Sequence, residues 1–475
     1  MKIIKLFIDE NIKTWKKLST KIMLIAIVLS LLAVLGIVKI MEKTEENITT
    51  SYIYENQEEY LSQQIEYFET QLQNDKLDEE TKQSMQRTLE EYKLYLEYNV
   101  SPYSDFWKNE IIQKIVDLKQ SGNNPEKLLK ILKENNFNEY INYQKQEVKL
   151  QLENNIISQQ EYEDNLAILE LKEKYEIGKD GNTDTDWKAN IINGIEANKR
   201  SIRTGINQNT RKLLKAEEKQ KLEEQIKISI YRLENNIPDA SNGSNTNYRM
   251  RYELLAPMFS IAVISIAIIV IAGGTISNEI STGTIKFWAL TPNKRWKIMT
   301  AKLLSILFYI IILVLITSLL SVAIANIFFE ENGETYLYCK NGEVQEIGNT
   351  LYTVEFYFVK AIPVVLFALF AVMLSTITRN TAVSVSFSVA LYIGNGLAMQ
   401  ILNQFITKDW IKFIPFNNLN LTSKIFTNST DMSNLMFGSS FATSTTLGFS
   451  LAVLGVCAIL MLITMYDSFN KRDII

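Results

Sequence analysis

Acidic and basic side chains bracket a glycine turn between two apolar runs: Glu279, Gly283-Thr284, Pro292, Lys294-Arg295 and Lys302. Carboxylate, ammonium and guanidinium groups in this order suit salt bridges and helix positioning rather than bond-making chemistry. Gly283 permits a turn or a close approach, and Pro292 breaks the element that carries it. Ile280, Ile285, Trp288 and Ala289 can share one apolar helical face, with Glu279, Lys286, Lys294, Arg295 and Lys297 beside it. Such a braced amphipathic element is something a partner could push against. The plainer alternative is an amphipathic loop whose lysines snorkel to the membrane surface. A second basic turn, Thr378-Arg379-Asn380, stands between two later apolar runs.

The residue types that most enzymes need are missing. The chain has no histidine, which excludes His triads, His-ligated metals and imidazole proton shuttles. Its two cysteines, Cys339 and Cys457, form no C-x-x-C pair and no disulfide framework. No G-x-x-x-x-G-K-[ST] motif occurs, so there is no phosphate-cradling loop. We therefore expect no catalytic residue, metal or cofactor bound by this chain alone. Asp180, Asn182, Asp184 and Asp186 alternate as calcium-loop ligands do. However, Gly181 stands second rather than sixth, and Ile191 replaces the bidentate Glu at the twelfth position. A polar turn with a helix cap is the favoured reading there.

These residues must be positioned by a membrane-embedded frame. The 475 residues are 47% hydrophobic and 21% charged, but the two classes are segregated. Apolar runs fill residues 22–40 and recur at about 254–276, 303–328, 353–377, 381–402 and 446–466. Each is long enough to cross a hydrocarbon core of ~30 Å. The expected fold is an all-α membrane protein of six transmembrane helices, with a large extracytoplasmic helical or coiled-coil domain between helices 1 and 2. Lys2, Lys5, Lys13, Lys16, Lys17 and Lys21 precede the first run and place the N-terminus in the cytoplasm. The basic 277–302 loop, Arg379 and the C-terminal Lys471-Arg472 then fall inside. The 329–352 loop, with Glu330, Glu331, Glu334, Glu343 and Glu346, falls outside. Residues 1–21 carry Ile4, Phe7, Ile8, Ile12 and Trp15 at helical spacing among lysines, as in a helix lying against membrane lipids. The net charge of −4 gives no reason to expect nucleic acid.

Residues 41–253 read as helical nearly throughout. Leu61, Ile65, Phe68 and Leu72 step by four, three and four, as do Met85, Leu89, Tyr92 and Leu96. With a turn at Asn74-Asp75, residues 52–98 make an antiparallel hairpin. Ile191, Ile195, Ile202, Ile206, Leu213, Leu222, Ile226, Ile230 and Leu233 mark one face of a single long helix of ~70 Å, capped by Asp184 or Asp186. The phrases ending Tyr98-Asn99-Val100, Asn154-Asn155-Ile156 and Asn235-Asn236-Ile237 read as helix stops, because Asn tolerates the left-handed conformation.

The run Glu279, Gly283-Thr284, Pro292, Arg295 and Lys302 resembles the first cytoplasmic loop of ABC-2-type transporter permeases. Weaker echoes are Thr378-Arg379-Asn380, Phe469-Asn470-Lys471-Arg472-Asp473 and Ile414-Pro415-Phe416-Asn417-Asn418. The resemblance covers the first 40 residues and 254–475, and does not extend to 42–253. It implies a permease subunit of an ATP-driven exporter in the plasma membrane. A separate ABC ATPase carrying ATP and Mg would dock on the cytoplasmic loops, and the permease would act as a dimer. In that role Glu279, Gly283, Thr284, Pro292, Arg295 and Lys302 form the ATPase-coupling loop, with Arg379 in a second cytoplasmic turn. The alternative is a membrane-anchored extracytoplasmic binding or sensing protein without transport activity.

Overall fold

A computed structural model describes residues 2–49, 57–73, 78–100, 107–177, 187–207, 211, 213–214, 216–237, 248–285, 294–329, 335–340, 342–405, 409–426 and 445–471. In chain order the helices are α1 (Lys2–Lys16), α2 (Leu18–Thr49), α3 (Gln57–Leu72), α4 (Glu79–Tyr98), α5 (Trp107–Gln120), α6 (Glu126–Glu134), α7 (Phe137–Glu153), α8 (Gln159–Lys174), α9 (Trp187–Thr204) and α10 (Ala216–Asn235). They continue as α11 (Tyr248–Ser281), α12 (Arg295–Phe328), α13 (Asn349–Thr378), α14 (Thr381–Phe405) and α15 (Leu447–Lys471). The chain divides into two compact units. One comprises residues 1–40, 247–338 and 345–475; the other comprises 41–246 and 339–344.

Among the described residues of the first unit, six helices are long and apolar enough to cross a membrane: α2, α11, α12, α13, α14 and α15. Their core follows helical spacing. Ile261, Ile264, Ile268 and Ala272 of α11 meet Ile306, Ile310 and Leu313 of α12 and Tyr357, Ala361, Val364 and Ala368 of α13. These steps of three and four residues line one face of each helix. The opposite faces stay apolar and uncovered, for example Leu315 and Leu319 of α12 and Ile459 and Ile463 of α15. Helices apolar all round suit burial in lipid. The helices outrun their apolar windows because their polar ends find partners. Arg249 pairs with Glu253 at 3.1 Å and donates to Asn326 Oδ1 at 2.5 Å, while Asn349 Nδ2 donates to Glu253 at 2.9 Å.

Two sequence expectations need correction, and a third gains an addition. The 277–302 loop is not wholly a loop: α11 runs through Ser281 and α12 begins at Arg295, so Glu279 and Lys302 stand on helices. Ser277, Asn278 and Glu279 all find hydrogen-bond partners, which lets helical bonding continue past the apolar window. The expected all-α membrane fold is present, with one small addition. Strands β1 (Thr335–Lys340) and β2 (Glu343–Gly348) form a two-stranded sheet within the acidic 329–352 region. Gly342, at φ +86°, supplies the left-handed turn residue between them.

The second correction lies in the second unit. The single helix expected over 191–233 is two helices, α9 and α10, packed side by side. Gly205 takes φ +68°, and the Leu214 amide donates to its carbonyl at 2.7 Å. A lone amphipathic helix ~70 Å long would leave its apolar face in water. Folding back buries Ile191, Ile192 and Ile195 against Leu233, with Ile226 and Ile230 packed beside them. The expected α3–α4 hairpin is present, although its turn residues Asn74 and Asp75 lie outside the described residues, as do Asp184 and Asp186. Asp78 caps α4, accepting the Thr81 amide at 2.6 Å. A second core gathers Leu94, Tyr95, Ile111, Ile112, Ile115, Leu128, Ile131 and Tyr140. The Asn stops behave as expected: Asn99, Asn155 and Asn236 sit at φ 49°, 55° and 54°.

Candidate functional site

One end of the membrane unit collects α1, the C-terminal turns of α11, α13 and α15, and the N-terminal turns of α12 and α14. At its centre Lys302 is nearly sealed from solvent, its side chain 1% exposed. Its ammonium donates to Glu279 Oε1 at 2.8 Å and to Glu10 Oε1 at 2.9 Å. Glu279 in turn accepts from Lys13 of α1. The four side chains alternate in sign, Glu10–Lys302–Glu279–Lys13, and carry no net charge. Burial costs an unpaired ion several kcal/mol, so each charge depends on the next. This alternation welds α1 to α11 and α12.

The Lys13 ammonium is half-exposed. Burial by itself would lower it, but the hydrogen bond to Glu279 and the nearby Glu10 charge hold it above its ordinary 10.5. Lys17 goes the other way, pushed down by burial and then by the Lys13 charge.

Around the charges lies a collar of hydroxyls. Ser277 meets Thr381 at 2.8 Å and Ser375 at 3.1 Å, and Thr381 donates to Asn278 at 2.7 Å. Ser384 Oγ donates to the Gly273 carbonyl at 2.8 Å. A Cβ on Gly273 would stand 2.7 Å from Val385 Cγ2 and 3.3 Å from its backbone nitrogen, so α11 and α14 cross here only because position 273 has no side chain. α15 is tied in by Thr300 to the Tyr466 hydroxyl at 2.7 Å and by Arg295 Nη1 to the Asn470 carbonyl at 3.2 Å.

The residues singled out in the sequence divide as follows. Glu279 and Lys302 come into direct contact. Gly283 ends α11 at φ +69°, its amide reaching the Ile280 carbonyl at 3.1 Å, and Thr284 Oγ1 donates back to the Glu279 carbonyl at 3.3 Å. Arg295 is directed to α15 rather than to the charge chain. Arg379 takes φ 54° at the C-terminus of α13, the left-handed residue that ends a helix. Pro292 lies outside the described residues, as do Asp180 to Asp186. Among the described residues no group of three or more Cys, Asp or Glu is placed to hold a metal ion.

Sequence reasoning missed Glu10 and Lys13. Their signal was an acid and a base three residues apart, on the side of α1 away from Ile4, Ile8 and Ile12. Those three isoleucines are exposed, whereas Leu6, Glu10 and Asn11 are buried.

A family described as a protein of unknown function (DUF2705) matches residues 221–475. The chain belongs to this family. The uncharacterized protein YhcI of Bacillus subtilis (strain 168) is 30% identical over 258 residues, covering 53% of this chain and 76% of YhcI. The uncharacterized membrane protein YdbK of the same organism is 28% identical over 236 residues, covering 49% of this chain and 86% of YdbK. No solved structure matches the chain. With six such apolar helices among its described residues, this DUF2705 protein is a multi-pass membrane protein. The DUF2705 match contains Glu279 and Lys302 of the charge chain, while Glu10 and Lys13 precede it.

Proposed function

We propose that this DUF2705 protein is the permease subunit of an ATP-driven ABC-2-type exporter, working with a separate ATPase chain. In this reading both termini, the 282–294 segment and the Arg379 turn face the cytoplasm of the plasma membrane, and residues 41–253 face outward. The observation that carries it is the buried Glu10–Lys302–Glu279–Lys13 chain beside the segment that resembles a coupling loop. A docked ATPase pushing on that segment would press against the ends of α11 and α12. Separating the buried charges is costly, so α1, α11 and α12 would move as one body. Arg295, tied to α15, would carry the push to the last helix. Because the chain lacks a P-loop, ATP and Mg would be held by the partner.

A second reading, an anchored binding or sensing protein, draws on the separate compactness of residues 41–246, most of which lie outside the family match. Affinity purification of the tagged full chain from native membranes distinguishes the two. Transport predicts co-purification of a P-loop ATPase whose ATP hydrolysis the permease stimulates, with both lost in Glu279→Ala and Arg295→Ala variants that still insert. Recovery of envelope proteins alone, unchanged by either substitution, would favour sensing.

A further inference from the structure

We propose that the groove between α1 and α12 binds an anionic phospholipid, its acyl chain against the two helices and its phosphate paired with Lys16. The groove is open and holds about 430 Å³. Its walls are Phe7, Ile8, Ile12 and Trp15 of α1 and Phe308 of α12, with Asn11 and Lys16 as its polar members. Phe7 and Phe308 meet edge to face at 5.3 Å, and Trp15 packs on Tyr309 at 5.1 Å. The floor is therefore held by aromatic contacts and does not need a ligand to form. Ile8 and Ile12 are exposed at its rim in line with Ile4, which gives a hydrocarbon chain a continuous apolar track.

Charge selects the headgroup. Lys302 is buried and Lys13 half-exposed, and both are neutralised by Glu279 and Glu10. Lys16, one turn further along α1, is exposed and has no carboxylate partner among the described residues; Lys5 has none either. The groove thus ends in uncompensated positive charge, complementary to a phosphate. Phosphatidylglycerol, with one net negative charge, serves as the anionic probe. This inference does not depend on the transport reading.

The test uses the full chain in phosphatidylcholine vesicles containing a minor fraction of bromine-labelled phosphatidylglycerol or bromine-labelled phosphatidylcholine. Bromine quenches tryptophan on contact, and the Trp15 component is the difference between the wild-type chain and Trp15→Phe. One basic side chain near an anionic headgroup is worth ~1 kcal/mol, or about fivefold in occupancy. Phosphatidylglycerol should therefore quench Trp15 at an about fivefold lower fraction than phosphatidylcholine, and Lys16→Gln should abolish the difference. Equal quenching by the two lipids, or a preference that survives Lys16→Gln, overturns the proposal. Should Trp15→Phe fail to insert, native mass spectrometry of wild type and Lys16→Gln reads the same preference. Phosphatidylglycerol retained by the first and lost by the second supports the site, and equal retention refutes it.

Discussion

Replacing Lys302 by Met tests whether the alternating charges weld the membrane unit together. The substitution roughly keeps side-chain volume but leaves Glu10 and Glu279 buried, at 11% and 6% exposure, without the ammonium they share. Glu279 retains Lys13; Glu10 loses its hydrogen-bonded ammonium and keeps only the more distant Lys13 charge. Removing one member of a buried pair costs ~3–5 kcal/mol, mostly from the stranded charge. The triple variant Lys302→Met, Glu10→Gln, Glu279→Gln strands no charge inside. Lys13 keeps 47% exposure and can turn to water. Neutral replacement of a buried ion cluster is often without net cost, so the triple variant should recover most of the loss. The assay is unfolding of detergent-purified protein in mixed micelles, followed by circular dichroism. The reasoning fails if Lys302→Met lowers stability by less than ~1 kcal/mol, or if the triple variant is no more stable than the single one.

Gly273→Ala should lower stability, because overpacking costs ~1–3 kcal/mol against an alanine helix-propensity gain of ~1 kcal/mol. Val385→Ala, which removes the Cγ2 lying 2.7 Å from the new Cβ, should restore it in the same unfolding assay, and a Gly273→Ala chain more stable than wild type would show that α11 and α14 can part freely. For Lys13 the bound proton is held more tightly in the folded chain than at its ordinary 10.5. Its stabilising contribution is therefore complete below about that pH and is lost as pH rises through the higher folded value. With the side chain half-exposed the effect stays under ~1 kcal/mol. The thermal midpoint of wild type should fall more steeply than that of Lys13→Gln above this pH, and parallel curves would contradict the pairing.

Apolar windows long enough to cross a membrane were visible in the chain itself, because a helix in lipid needs ~20 apolar residues and little else supplies them. The stops at Asn99, Asn155 and Asn236 were visible for a local reason as well: a left-handed backbone depends on the residue that adopts it. Glu279, Gly283 and Lys302 could be marked as a charged turn. Their partners could not, since Glu10 and Lys302 are 292 positions apart and nothing local connects them. The same limit explains α9 and α10. Periodicity reports which face is apolar, not whether that face is covered by another helix or by the chain folding back at Gly205. Pairing of α1 with α11 and α12, the close crossing at Gly273, and the extension of α11 through Ser281 were decided only in the folded molecule. Buried charges and hydroxyls must be satisfied, and which atoms satisfy them depends on how the helices pack.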